Sequence, residues 1–314
     1  MAKETIHKTS IGGQAVMEGV MMRGPKEIAT AVRKSNGEII IDKKGISSVL
    51  MKYKVLKLPI IRGCINFFES LIVGVKALMF SADQYDLEDG EAYEPSKFEA
   101  WLDRKFGDKV KDIAIYASVV IALALGVGLF MLLPNVIAGF FGKFVTNNIL
   151  RNLVEGGIRI VIFLGYMILV SQMKDIQRVF QYHGAEHKTI ACYEHGEELT
   201  PENARKFCRL HPRCGTSFLL IVMVVSIIAF SFLGWGPVWQ RLLLRLALLP
   251  VVAGISYEAI KLAGRSENRV VQLLTKPGLW LQYLTTREPD DSQLEVAIAA
   301  MKSVLTENKE EDKW

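Results

Sequence analysis

Apolar and polar positions fall into distinct regimes along this chain. Residues 1–60 and 262–314 mix polar and apolar positions as ordinary soluble protein does, and between them lie apolar runs too long for a globular core. Four runs read as spanning helices: 113–134, 158–173, 216–234 and about 242–263. A hydrocarbon core of roughly 30 Å needs ~20 helical residues. The first and third runs meet that length directly. The second meets it only by starting before Arg159 and letting that side chain snorkel. The fourth carries Arg245 and Pro250 inside it.

The stretch 62–80 is apolar but interrupted. Asn66, Glu69 and Lys76 recur opposite Phe68, Leu71, Val75 and Leu78, which predicts an amphipathic helix lying in the interface rather than a fifth span. In "EIATAVRKSNGEIIID", Ile28, Thr30 and Val32 alternate, as do Ile39 and Ile41 beyond Asn36-Gly37. Asn-Gly between such segments predicts a hairpin with a type I′ turn, hence a small N-terminal sheet. The expected fold is mainly α: a polytopic membrane protein with about four spanning helices, an interfacial helix and a small cytoplasmic β-sheet. Its divisions are a β-containing region at 1–60, the interfacial helix at 61–82, an acidic connector at 83–111, the four-span domain at 112–263 and a helical region at 264–314. In the last, Leu294, Ala297, Ile298, Met301 and Leu305 share one face of a docking helix, and "ENKEEDKW" reads as solvated charge.

Charge adds orientation. Lys plus Arg number 38 against 33 Asp plus Glu, a net +5 that calls for no nucleic-acid partner. Basic residues gather before the first run, between the second and third, and after the fourth. The positive-inside rule then places both termini, and the loop 174–215, in the cytoplasm of a multi-pass cell-membrane protein. The opening "MAKETIHKTSIGG" has no apolar signal region, so insertion is expected from the internal runs. The bilayer is the expected partner, with room for a membrane or cytoplasmic protein partner.

Loop 174–215 holds the candidate chemistry. "SQMKDIQRVFQYHGAEHKTIACYEH" continues the second run at helical period and puts His183 and His187 at i and i+4, on one face. Glu186 borders that face, so the letters read H-x-x-E-H: two imidazoles to hold a divalent metal, most simply zinc, and a carboxylate to act as general base. Gly184 weakens the helix that the spacing assumes. A third ligand must come from elsewhere. Glu258, near the end of the fourth run, either completes the shell or pairs with Lys261 or Arg265. Glu18 and Arg23, in the glycine- and methionine-rich stretch 12–25, read as ligand-binding residues, with Glu18 a further metal candidate; the alternative is a glycine-rich entry to the sheet. Cys192, His195, Cys208, His211 and Cys214 lie in the same loop, where a reducing cytoplasm leaves thiols free for metal. Cys192 is about half a turn around from His183. Either the chain bends, or a closed structural site drawn from these five accompanies an open one at the histidines.

The segments "GGQAVMEGVMMRGP", "YHGAEHKTIACYEHG", "HPRCGTSFLL" and "LWLQYLTTREPDDSQLEVAI" resemble the YqhQ-like membrane proteins of bacteria, from about Ile11 to Leu305. The resemblance implies a multi-pass protein with a domain of unknown function and a metal-dependent enzymatic role, and brings no substrate or reaction. Two functions follow: a metal-dependent hydrolase with Glu186 as base, or a non-enzymatic scaffold or biogenesis factor braced by a metal or a His/Cys cluster. A transporter using Arg245 and Glu258 stands third, because the runs show few polar residues.

Overall fold

A computed structural model describes residues 7–48, 53–86, 109–141, 145, 147–266 and 268–314. Most of the acidic connector, 87–108, lies outside the described residues. The chain forms two compact units, one comprising Met1–Glu88, Met167–Ser226 and Leu248–Trp314, the other Asp89–Tyr166 and Ile227–Ala247.

The first unit is built on a sheet. Strands β1 (Gly12–Val16), β2 (Gly19–Arg23), β3 (Glu27–Arg33) and β4 (Ile39–Gly45) pair antiparallel in chain order. The stretch 12–25 is therefore a β-hairpin and not a free loop. Both faces are covered. Val20, Met22, Ala29 and Ala31 point into a core shared with Tyr182, Ala185 and Ile190 and with Leu294, Ala297 and Met301. Val16, Met21 and Val32 point the other way, onto Val73, Ala77 and Phe80. This is the period-2 alternation of strands buried on both sides. The Asn36-Gly37 hairpin forms, but through the longer loop 34–38. Among these loop residues only Gly37 has positive φ, at 89°, while Asn36 Oδ1 accepts from the Glu38 amide at 2.9 Å. The Asn36 side chain bonds the backbone locally, which replaces the two-residue type I′ turn.

Helix α1 (Ile61–Asp86) carries the residues packed on the second face. Helix α2 (Lys109–Val127) continues through a π-helical turn at Gly128–Leu132 into α3 (Leu133–Phe140), followed by α4 (Asn148–Val170). Helix α5 (Lys174–Glu194) does not continue α4. Met173 is extended, with ψ 130°, and the end of α4 is closed by Ser171 Oγ and Gln172 Nε2, which both donate to the Ile168 carbonyl. These bonds satisfy a terminal carbonyl and free the chain to change direction. After α6 (Pro201–Arg205) come α7 (Gly215–Ser231), α8 (Val238–Arg265), α9 (Arg269–Thr285) and α10 (Asp291–Val304). Helix α10 starts in a capping box, Asp290 with Gln293, and lies on the sheet and α5.

The extreme tail is solvated at 307–311 and Lys313, as expected, but Asp312 within it is docked. Asp312 is fully buried, takes hydrogen bonds from Thr9 Oγ1 (2.8 Å) and Tyr193 Oη (2.9 Å), and meets His7 at 2.7 Å. Thr9 and Lys313 form an antiparallel bridge. The sequence cannot signal this, because the partners lie about 300 positions apart.

Among the described residues, four helices are long and apolar enough to cross a membrane: Ile61–Gln84, Ala117–Phe140, Asn148–Val170 and Val238–Gly264. The count agrees with the hydropathy pattern, but its members differ. Helix α7 stops at Ser231, whose hydroxyl bonds the Ile228 carbonyl, leaving 17 residues. At 1.5 Å per residue that is roughly 25 Å. The 61–84 segment qualifies by length, although Val73, Ala77 and Phe80 already face the sheet. Arg159 does not snorkel. Helix α4 begins well before it, at Asn148, and Arg159 is buried within the second unit, 3.1 Å from Glu155. Arg245 is buried there too, paired with Glu155, so these helices hold more polar groups than the hydropathy pattern suggests.

Candidate metal centre

His183 and His187 lie one turn apart on α5, with ring centroids 4.4 Å apart. Both rings are held by main-chain carbonyls. His183 Nδ1 donates to Thr285 O at 2.8 Å, and His187 Nδ1 donates to Arg209 O at 2.5 Å. A carbonyl oxygen can only accept, so Nδ1 carries the proton on each ring and the neutral ring keeps its lone pair on Nε2. His183 Nε2 lies 3.2 Å from Cys214 Sγ. One ligand atom from each of His183, His187 and Cys214 falls within 4.8 Å of the others, and among the described residues this is the His/Cys/Asp/Glu group of three or more that converges in this way.

The local fold explains the convergence. Helix α5 crosses the turn that leaves α9, where Arg287 N donates to Phe180 O at 2.8 Å. The crossing is tight because residue 184 is glycine: a Cβ there would meet the Arg287 carbonyl oxygen. Gly184 therefore weakens the helix slightly but lets the Thr285 carbonyl reach His183. Gly13 on β1 plays a matching part. A Cβ there would come within 3.1 Å of the Glu186 carboxyl carbon, and the Gly13 amide donates to that carboxylate.

Electrostatics favour the ligand forms. Burial pushes His187 below its ordinary value, helped by the neighbouring His183 ring. Burial pushes the Cys214 thiol up, but the His187 ring beside it and the hydroxyl and amide of Thr216 outweigh it and hold the thiol below its ordinary value. Burial pushes Glu186 up to about 7, against the pull of His183 and the Gly13 amide. These groups open onto a cavity of about 270 Å³, also lined by Arg23, His211, Arg213 and Trp314.

A model of a protein family of unknown function, DUF1385, matches residues 58–307. The chain belongs to the DUF1385 family. It is 36% identical over 299 residues to the uncharacterized protein YqhQ of Bacillus subtilis (strain 168), covering 94% of this chain and 92% of that one. No solved structure matches.

In this DUF1385 protein the other candidates go elsewhere. Glu258 accepts from Arg62 Nε (2.7 Å) and Nη2 (2.5 Å) and does not line the cavity. Glu18 sits in the β1–β2 turn with φ 48°, ion-paired to Arg178 and 3.2 Å from Tyr182 Oη. Arg23 reaches the cavity wall, 3.6 Å from Glu69. Cys192 is buried on the far side of α5, 3.5 Å from the Glu198 carbonyl, and burial pushes its thiol up to about 11. His195 bonds the Ala191 carbonyl and stacks on Phe207, with centroids 4.8 Å apart. Cys208 is exposed. His211 approaches His187, ring to ring, at 5.6 Å, but its Nε2 faces Glu194 at 3.5 Å. The five loop residues thus do not form one closed set, and Cys192 lies inside α5, which runs unbroken to Glu194.

The sequence did not point to Arg213, Glu194 or Trp314. Arg213 pairs with Glu194 and lies over the Trp314 ring, 5.4 Å from its centroid. The Thr285 and Arg209 carbonyls that orient the histidines leave no trace in a sequence, since every residue has one.

Proposed function

We propose that this protein is a metal-dependent hydrolase acting at the cytoplasmic membrane surface. The observation that carries the reading is the meeting of His183, His187 and Cys214 beside Glu186 on one cavity. The donors fit zinc: two neutral imidazoles with oriented rings and a thiol held toward its thiolate. Three protein ligands leave a position open, as catalytic sites do, whereas structural sites close with four. A bound ion would supply Lewis acidity to the bond under attack. Glu186, held by the Gly13 amide, would take the proton of the attacking water. Arg23 and Arg213 bring positive charge to the wall. Cys214 immediately precedes the apolar helix α7, which favours a membrane-proximal substrate such as a lipid headgroup or a juxtamembrane peptide.

A non-catalytic brace is the second reading, because the same three residues tie α5 to the start of α7. Elemental analysis and hydrolysis assays on ester, phosphodiester and peptide probes separate the two. Purified protein is expected to hold one zinc per chain, lost in His183→Ala and Cys214→Ala. Glu186→Gln is expected to keep the metal and lose hydrolysis by roughly 10²–10⁴-fold. Metal-free wild-type protein would refute the hydrolase and a metal-held brace; hydrolysis undiminished in Glu186→Gln would remove Glu186 as the base, and metal-loaded wild-type protein without hydrolysis would leave only the brace.

A further inference from the structure

Helix α9 leaves a broad apolar face exposed. Val270, Leu273, Leu274, Trp280 and Tyr283 are each more than half exposed, Leu274 at 73%. At 3.6 residues per turn, Trp280, Leu273, Val270 and Leu274 fall within an arc of about 120°. Lys276 and Arg269, both exposed, border that arc on the Trp280 side, and α9 contains no Asp or Glu. The C-terminal half is docked instead: Gly278, Leu281, Gln282 and Thr285 are buried. Gln282 Nε2 donates to the His211 carbonyl at 2.7 Å and to Ser217 Oγ at 3.1 Å. A Cβ at residue 278 would come within 2.9 Å of the Ser217 side chain, so Gly278 lets α9 lie close against the start of α7.

The two attachments of α9 fix its surroundings. Helix α8 is long and apolar enough to cross a membrane, and Val251, Ile255 and Leu262 are exposed along one of its faces. Helix α9 begins at Arg269, four positions after α8 ends at Arg265. Four residues reach at most roughly 14 Å. Further along, α9 rests on Ser217, the third residue of the apolar helix α7. Both attachments are thus to the ends of apolar helices. Helix α9 does not itself span, since its 17 residues carry Lys276 and Pro277 near the middle. A contiguous exposed apolar face marks an interaction surface, and beside the end of a membrane span the partner within reach is lipid.

We propose that α9 lies in the plane of the bilayer surface, with Trp280, Leu273, Val270 and Leu274 at the acyl chains and Lys276 and Arg269 at the headgroup phosphates. Cations bordering an apolar stripe cover it with their stems and extend their charge to the headgroups. Tryptophan suits that boundary. Thr285, the last residue of α9, accepts from His183 Nδ1 at 2.8 Å, so this seating sets the candidate metal site beside the lipid. Neither a bound metal nor hydrolysis is needed for it.

Trp280 can report its own surroundings. The full-length protein is reconstituted at one copy per lipid nanodisc, with acyl chains brominated either near the headgroup or near the chain end. The emission of Trp280→Phe is subtracted from that of the wild type. The difference emission is expected to be quenched by both bromolipids, and more strongly by the shallow one. Leu274→Trp, read as the emission it adds to the wild type, is expected to be quenched likewise, and it carries the test if Trp280→Phe does not fold. Emission untouched by either bromolipid at either position would leave the face to a protein partner and overturn the proposal. Stronger quenching by the deep bromines would mean a spanning segment and overturn it as well.

Discussion

Single residues around the candidate metal site are held by partners far along the chain. Glu194 shows this best. It accepts from the Thr9 amide at 2.7 Å, pairs with Arg213 and faces His211. Burial pushes its carboxyl up, but the His211 bond, the Arg213 charge and the Thr9 amide outweigh it and hold the group below its ordinary 4.5. A depressed folded-state value means that the stabilisation is complete above the unfolded value and is lost as pH falls through the folded one. Wild-type stability is therefore expected to drop as pH is lowered below 4.5, and Glu194→Gln to flatten that part of the profile. Denaturation followed at stepped pH checks this, and parallel profiles for the two proteins would contradict it. In the sequence, the His183–His187 pair was readable from helical spacing alone. Cys214 stood among five equal loop candidates, and nothing local separated it from Cys192 or Cys208.

At the scale of elements, the site depends on α5 passing close to the turn after α9. Gly184 sets that distance, since a Cβ there would strike the Arg287 carbonyl oxygen. Gly184→Ala should raise helix propensity and yet destabilise the protein by ~1–3 kcal/mol, the usual range for overpacking. Melting temperature and zinc content are both expected to fall. Unchanged stability would mean that the backbone yields without cost. The sequence rule for glycine in a helix gave the opposite sign, because propensity is a local quantity and the contact is not. The strands were legible for the converse reason. Met21 against Val20 and Met22, or Val32 against Ala31, alternates within one strand, and the two covers merely accept what the alternation offers.

Orientation belongs to the whole molecule. The distribution of Lys and Arg predicts that loop 174–215 faces the cytoplasm. Cys208 is the exposed thiol of that loop, while Cys192 and Cys214 are buried. A membrane-impermeant maleimide is thus expected to label Cys208 in inside-out vesicles and not in intact cells. Labelling from outside would reverse the topology and move the proposed hydrolase to the other face of the membrane. Hydropathy and the structure both give four candidate spans, and they differ over 61–84 and the 17-residue α7. Hydropathy cannot tell an apolar helix face turned to lipid from one turned to a sheet, as Val73 and Ala77 are.

By itself the sequence determined the mainly helical membrane class, the alternating sheet and the histidine pair, because each follows from a periodicity inside one element. Only the tertiary structure decided that Cys214 meets the histidines while Glu258 is taken by Arg62 and Glu18 by Arg178. It also decided that Asp312 is buried and that three arginines crowd one glutamate. Such outcomes depend on which of several chemically suitable partners the packing brings within a few ångströms, and spacing along the chain carries no record of that.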